Sequence, residues 1–166
     1  MRERGHVFNA VVLGVGIGVL LEPSLSIAGL YSVVAVSIPV ILGASLPDVD
    51  TSFGDHRIHG HNLLLLGSVL AFPIVVGNLA WVWLGVLTHY VLDLLGNVRG
   101  MALLYPLSRR FYDAPVGVPV DSRWADVVTV VVTTIELGVA AGAIHLVRTE
   151  QTTLPATVVD FGSQLV

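Results

Sequence analysis

Apolar residues in this chain come in four long runs, separated by polar segments that carry most of the His, Asp and Arg. The runs cover residues 7–21, 27–46, 62–95 and 125–147. A transmembrane helix needs about 20 mainly apolar residues, within a range of about 17–25. The run 62–95 is too long for one such helix, and Gly77 and Asn78 offer a turn near its middle. Divided there, the pattern predicts five transmembrane segments.

The runs are continuous rather than alternating, which favours helices over the strands of a barrel. Only 12% of the residues are charged and the mean hydropathy is +0.83, whereas soluble domains carry roughly 25% charged residues. We therefore expect an all-α, polytopic helical membrane protein. Residues 1–147 are predicted to form one helical domain, and the Thr-rich residues 148–166 a loose tail.

The arginines predict the orientation in the membrane, because cytoplasmic loops carry an excess of basic residues. With five spans, seven arginines lie on one side and Arg148 alone on the other. The seven are Arg2, Arg4, Arg57, Arg99, Arg109, Arg110 and Arg123. We expect a multi-pass plasma-membrane protein with a cytoplasmic N-terminus and an external C-terminus.

Metal-ligating residues recur at the ends of the runs that face this same side. His6 precedes the first run, and Asp48 and Asp50 follow the second. Before the third predicted helix comes His61, and near the end of the fourth come His89 and Asp93. Alternating helices would bring all six to one membrane face, which predicts a metal site there. The prediction requires that residues 62–95 do not form a single tilted helix.

Two of these pairs have informative spacing. His89 and Asp93 are four residues apart and share one face of a helix, so both can reach one metal or two adjacent metals. The alternative is a His–Asp hydrogen bond that locks two helices. Asp48 and Asp50, in an extended segment, would point the same way and could bridge two cations. Their alternative is a solvated turn.

Three histidines, His56, His59 and His61, fall within six positions. Imidazole is the commonest metal-ligand side chain, although a pH-sensitive surface loop is the alternative. Arg57 could grip a phosphate oxygen. Glu136 lies in the middle of the last run and needs a partner or a cavity, whereas His145 lies near the opposite membrane face.

The absence of cysteine excludes thiolate sites, so His and carboxylate must hold the metal. These ligands favour zinc, with manganese or magnesium as alternatives. The basic residues do not form a stretch extensive enough to indicate nucleic-acid binding.

Taken in order, these motifs resemble a known family of membrane-bound, predicted metal-dependent hydrolases, described as LexA-binding or LexA-regulated inner-membrane-associated hydrolases. The resemblance runs from His6 to about Ser108. It rests on the early His, on Leu46-Pro47-Asp48-Val49-Asp50, on His56-Arg57 with His61, on Thr88-His89-Tyr90-Val91-Leu92-Asp93 and on Gly100-Met101-Ala102-Leu103-Leu104-Tyr105-Pro106-Leu107-Ser108. This chain departs from the family at Ile58, where Gly is usual, and at Gly60-His61-Asn62, where Thr-His-Ser is usual.

The family is distantly similar to zinc-dependent phospholipase C and the single-strand-specific zinc nucleases. The resemblance implies that His6, Asp48 or Asp50, His61, His89 and Asp93 are metal ligands. It places His56 and Arg57 at the edge of the site. Asp50, His56 and Arg57 are then the candidate catalytic residues.

The leading hypothesis is a hydrolase of phosphoesters, with a membrane lipid as the plausible substrate. The second hypothesis is a membrane-anchored regulatory or binding protein with a structural metal. A third, a metal or proton transporter, is disfavoured because the ligands lie at one face rather than at the midplane.

Overall fold

The regular structure consists of helices throughout the residues that the structure, a computed structural model, describes. These are residues 3–52, 58–75, 79–96, 98, 100–114, 118–119 and 122–153, with the side chains of residues 3, 50–52, 72, 75 and 151–153 excepted. The helices are α1 (Glu3–Leu21), α2 (Ile27–Ser45), α3 (Leu63–Leu70), α4 (Phe72–Val75), α5 (Val82–Leu95) and α6 (Trp124–Thr153), and Pro47–Ser52 forms a 3-10 helix. These ranges contain no β-sheet, and their β-structure is limited to an isolated antiparallel bridge between Met101 and Tyr112. The predicted all-α fold class is confirmed.

Small residues let α1 and α2 pack closely as an antiparallel pair. A Cβ added at Gly14 would lie 2.6 Å from Ser37 Cα, and one at Gly18 would lie 2.9 Å from Val33 N. Helices in a bilayer associate through such close backbone approach, because lipid supplies no hydrophobic driving force between them. Ser32 Oγ also donates to the Gly18 carbonyl at 2.9 Å. The interface buries a core of Ala10, Leu13, Ile17, Val36, Val40 and Ala44.

α5 packs against α2, again through glycine, and runs parallel to it. A Cβ on Gly85 would meet the Val40 carbonyl oxygen and lie 2.6 Å from Ala44 N. α6 lies on the other side of α1 and runs parallel to it. Arg148 of α6 donates to the carbonyls of Leu20 and Leu21 at 3.0 and 2.7 Å, which satisfies acceptors that the end of α1 leaves open.

Large apolar side chains cover the outside of α1, α2 and α6. Val34, Ile38 and Leu42 follow one another along α2 and are 43–54% exposed, while Ile135 and Val139 on α6 are 60% and 68% exposed. A contiguous apolar exterior of this kind suits lipid. Within the described ranges, three segments are long and apolar enough to cross a membrane: Arg4–Leu21, Ile27–Val49 and Trp124–Glu150.

The remaining apolar run differs from the expectation of two full-length spans. It is broken at Ala71 into α3 and α4, and α5 has only 14 residues. At 1.5 Å per residue α5 is about 21 Å long, against about 30 Å for a bilayer core. By helix length, α1, α2 and α6 qualify as membrane spans, whereas α5 alone is shorter than the bilayer core. The run is not one tilted helix either, although Gly77 and Asn78 themselves lie outside the described residues.

The last helix also extends further than the sequence pattern indicates. α6 continues to Thr153, into the segment expected to be a loose tail, while residues 154–166 are outside the described range. Thr149 Oγ1 donates to the His145 carbonyl at 2.8 Å within this last part of the helix.

Candidate metal centre

Five of the predicted ligands, which come from four separate parts of the chain, converge at one end of the bundle. His6 lies in the first turns of α1, Asp48 in the 3-10 helix after α2, and His61 just before α3. His89 and Asp93 lie one turn apart in the second half of α5. The four residues other than Asp48 are at most 3% exposed, whereas the Asp48 side chain is 30% exposed.

Asp48 and Asp93 each present a carboxylate oxygen to the same two imidazoles. His61 Nε2 lies 3.2 Å from His89 Nε2 and 3.5 Å from Asp93 Oδ2. Asp48 Oδ1 lies 3.6 Å from His89 Nε2 and 3.9 Å from His61 Nε2, and His89 Nε2 lies 3.9 Å from Asp93 Oδ2. Zinc–ligand bonds of about 2.0–2.1 Å place the corners of a tetrahedron about 3.3 Å apart. His61 Nε2 and His89 Nε2 can therefore share a divalent ion with Asp48 Oδ1, or with Asp93 Oδ2, after small adjustments.

A backbone carbonyl fixes the orientation of His89. His89 Nδ1 lies 2.7 Å from the carbonyl oxygen of Ala44, and a carbonyl can only accept, so Nδ1 carries the proton and donates. Nε2 of a neutral His89 then presents its lone pair to the centre. Metal-binding histidines almost always have such a partner on the second ring nitrogen, which sets the tautomer and the ring orientation.

His6 occupies the far side of Asp93. Its Nε2 lies 3.3 Å from Asp93 Oδ1, and its ring stacks on that of His89 with centroids 3.8 Å apart. Nδ1 of His6 is buried and has no hydrogen-bond partner among the described residues. Besides the group Asp48, His61 and His89, the group His6, His89 and Asp93 also meets the spacing of a metal site. His6 can thus orient Asp93 for one ion or ligate a second ion that Asp93 bridges.

The segment that carries His61 is held by hydrogen bonds from neighbouring residues. Tyr90 Oη lies 3.0 Å from the Gly60 carbonyl and 2.9 Å from the Asn62 carbonyl, on either side of His61. Asn62 accepts from Leu65 N at 2.9 Å and so caps α3. Its amide nitrogen donates to the carbonyls of Ile58 and His59 at 3.1 and 2.6 Å.

A second loop closes over this segment. Leu63 N donates to the Leu103 carbonyl at 2.8 Å, and two bonds of 2.9 Å join the backbones of Met101 and Tyr112. The motif residues 100–108 therefore support the segment that holds His61. Solvent reaches the cluster at Asp48, its half-exposed member.

Three predicted site residues fall wholly or partly outside the described part of the chain. Asp50 contributes its backbone to the 3-10 helix, but its side chain and the whole of His56 and Arg57 lie outside the described residues. The segment around Asp48 is helical rather than extended. The backbone at Asp48 therefore differs from the extended segment expected from the sequence, while the Asp50 side chain, on which the prediction of paired carboxylates also depends, is outside the described residues.

Two other histidines lie away from the ligands. His59 is exposed, with Nε2 3.4 Å from Tyr105 Oη, and His145 is exposed on the far half of α6. Sequence reasoning did not find the supporting groups, namely the Ala44 carbonyl, the Tyr90 hydroxyl and the Asn62 amide. A backbone carbonyl has no sequence signal, but Asn directly before an apolar helical run does indicate an N-cap.

Comparison with known proteins gives no match: no family model, no curated protein and no solved structure is significantly similar to this chain.

Proposed function

We propose that this protein is a membrane-embedded, metal-dependent hydrolase with one or two divalent ions at the cytoplasmic face. The observation that carries the proposal is the pair of imidazole nitrogens, His61 Nε2 and His89 Nε2, 3.2 Å apart, with Asp48 Oδ1 and Asp93 Oδ2 each within 3.9 Å of both. Ionisable groups inside membrane proteins are costly and usually functional. Zinc is the preferred ion, because imidazole nitrogens and carboxylate oxygens are among its usual ligands.

A divalent ion held here would activate water and polarise the scissile phosphoryl group. Asp48 is the ligand nearest to solvent, so its side of the shell is where water and substrate would enter. Arg57 is proposed to hold the phosphate, and Asp50 and His56 to orient water or transfer protons. These three roles come from the family resemblance, as does the phosphoester substrate.

We further propose five membrane crossings, with α3–α4 and α5 forming a short crossing hairpin. Trp81 and Trp83 near its tip match the aromatic belts found at membrane interfaces. Arg4, Arg123 and Trp124 lie at the opposite, ligand-bearing end and indicate the cytoplasmic interface. The ligands would then lie at headgroup depth, which favours a lipid phosphoester as substrate.

Metal content tests the first part of this proposal. Protein purified in detergent without chelator is expected to contain one or two equivalents of zinc or manganese by mass spectrometry. His89→Ala should lose the metal, because it removes a ligand common to both candidate groups. His145→Ala is the matched control, since that exposed histidine is remote from the cluster. A wild-type protein that stays metal-free after incubation with zinc, manganese and magnesium would rule out the proposal.

Activity tests the second part. The zinc-loaded protein should hydrolyse a chromogenic phosphodiester or phosphatidic acid in mixed micelles, and activity should disappear in His89→Ala. A protein that binds zinc tightly yet hydrolyses none of these phosphoesters would contradict catalysis on them. It would favour the alternative of a regulatory protein, in which Asp48, His61, His89 and Asp93 form a closed structural shell.

A further inference from the structure

A second polar cluster lies one helical turn deeper in the bundle than the metal ligands. Asn9 Nδ2 is 2.9 Å from Thr133 Oγ1 and 2.7 Å from Glu136 Oε2. Thr88 Oγ1 is 2.7 Å from Asn9 Oδ1 and 2.6 Å from Glu136 Oε1. Thr133 Oγ1 is 2.7 Å from the Thr129 carbonyl. Four of these five close polar contacts join α1, α5 and α6, and the fifth lies within α6.

Counting hydrogens shows what these five contacts require. The Asn9 amide supplies two, the Thr88 hydroxyl one and the Thr133 hydroxyl one, which is one hydrogen fewer than the five contacts. An ionised Glu136 would add none, since a carboxylate only accepts. Thr88 would then face two acceptor oxygens with a single hydrogen. A hydrogen on Glu136 Oε1 resolves this, because Glu136 donates to Thr88 and Thr88 donates to Asn9.

Exchanging the oxygen and nitrogen of the Asn9 amide does not remove the requirement. Amide orientation is assigned from the network, so the flipped form must also be considered. In that form the amide oxygen would face Glu136 Oε2, and two oxygens 2.7 Å apart again need a hydrogen from the carboxyl group. In both orientations, a protonated Glu136 supplies the hydrogen that an ionised Glu136 would leave missing.

The surroundings of Glu136 favour the same state. The part of its side chain not covered by the cluster lines an apolar groove of about 450 Å³ between α5 and α6, whose walls include Trp83, Leu87 and Val139. Residues 124–150 form one of the segments able to span a membrane, so hydrocarbon would fill this groove. An ionised carboxylate beside hydrocarbon costs far more than a neutral acid that is fully hydrogen-bonded.

We propose that Glu136 is a neutral carboxylic acid that donates to Thr88 and positions two metal ligands. Asn9 lies one turn after His6 on α1, and Thr88 directly precedes His89 on α5. The acid therefore ties together the two helices whose imidazoles stack 3.8 Å apart. The positioning role rests on the proposed metal site, whereas the protonation state of Glu136 does not.

Infrared spectroscopy tests the protonation state directly. A difference spectrum between wild type and Glu136→Gln at neutral pH should show the loss of a protonated-acid carbonyl band. Glutamine can reproduce the pattern, since its amide nitrogen donates to Thr88 and its oxygen accepts from Asn9. Glu22→Gln, in the loop after α1, is the control and should lose carboxylate bands. Loss of carboxylate bands alone in Glu136→Gln would overturn the proposal.

Zinc affinity tests the positioning role without relying on catalysis. Glu136→Leu should weaken zinc binding about 10–100-fold, as loss of outer-shell partners does, while Glu136→Gln should bind zinc as wild type does. Equal affinity in all three proteins, or equal loss in both variants, would overturn the positioning role. A wild-type protein without zinc would refute the metal site and the positioning role together, and the infrared result would still decide the state of Glu136.

Discussion

Asp93 lies between three imidazoles and uses both of its carboxylate oxygens. Oδ1 faces His6 at 3.3 Å, and Oδ2 faces His61 and His89 at 3.5 and 3.9 Å. Asp93→Asn keeps the shape but removes the charge and turns one oxygen into a hydrogen donor. We expect zinc affinity to fall by at least about 100-fold, measured by competition with a chelator, since charged oxygen ligands dominate such sites. Asp126→Asn, an exposed acid at the same end, should bind zinc as wild type does; an unchanged affinity in Asp93→Asn would exclude Asp93 as a ligand.

Tyr90 affects the metal site indirectly, by holding the segment that carries His61. Its hydroxyl bonds to the carbonyls of Gly60 and Asn62, and Tyr90→Phe removes those bonds while leaving every ligand in place. We expect zinc to bind about 10-fold more weakly, by the same competition assay. Tyr31→Phe, exposed near the start of α2, is the control. If both phenylalanine variants bind zinc equally well, the hydroxyl does not hold His61 in place.

Residue types alone indicated most of the cluster. His61, His89 and Asp93 stand out because few ionisable residues occur in so apolar a chain, and His6 follows from the alternation of helices. The supporting Ala44 carbonyl could not be predicted, since it depends on the register between α2 and α5. The 3-10 turn at Asp48 also could not be predicted, because Asp-x-Asp after a proline fits extended and helical backbones equally well.

At the scale of elements, the contact between α2 and α5 controls the site. A Cβ at Gly85 would press on the Val40 carbonyl and on Ala44 N, next to the carbonyl that orients His89. We expect Gly85→Ala to destabilise the protein by about 1–3 kcal/mol, the usual cost of overpacking, in unfolding followed by tryptophan fluorescence. It should also weaken zinc binding, because Ala44 must shift.

Gly67 on α3 is the matched control for Gly85. A Cβ there has nothing within 4 Å, so Gly67→Ala should leave stability unchanged or raise it by up to about 1 kcal/mol through helix propensity. A Gly85→Ala protein as stable as Gly67→Ala would show that the α2–α5 contact has room to adjust.

The elements themselves were predictable where hydrophobicity is long and uninterrupted. α1, α2 and α6 match the apolar runs closely, because one length of lipid-facing helix satisfies both burial and backbone hydrogen bonding. The run 62–95 is as apolar as the other runs, but it folds into three short helices, α3, α4 and α5. Hydropathy cannot distinguish a hairpin with short arms from two full spans, since the difference lies in where the backbone turns.

At the scale of the whole molecule, the metal ligands lie on one side of the membrane whether the chain has three spans or five. The hairpin of α3–α4 and α5 begins and ends beside the ligands, whether or not its tip reaches the far membrane surface. The site is therefore cytoplasmic in both arrangements if α1 begins in the cytoplasm. What the span count decides is whether the tip of the hairpin is exposed outside the cell.

Single cysteines can measure both the orientation and the span count, because the natural chain has none. Ser24→Cys, in the exposed loop after α1, should react with a membrane-impermeant maleimide in intact cells. Leu107→Cys, at a position 93% exposed beside the site, should react only after permeabilisation. Ile74→Cys near the hairpin tip, at a position 87% exposed, should react in intact cells if the hairpin crosses. If Ile74→Cys is protected while Ser24→Cys reacts, the hairpin is re-entrant and the chain has three spans. If Leu107→Cys reacts in intact cells, the metal ligands lie outside the cell.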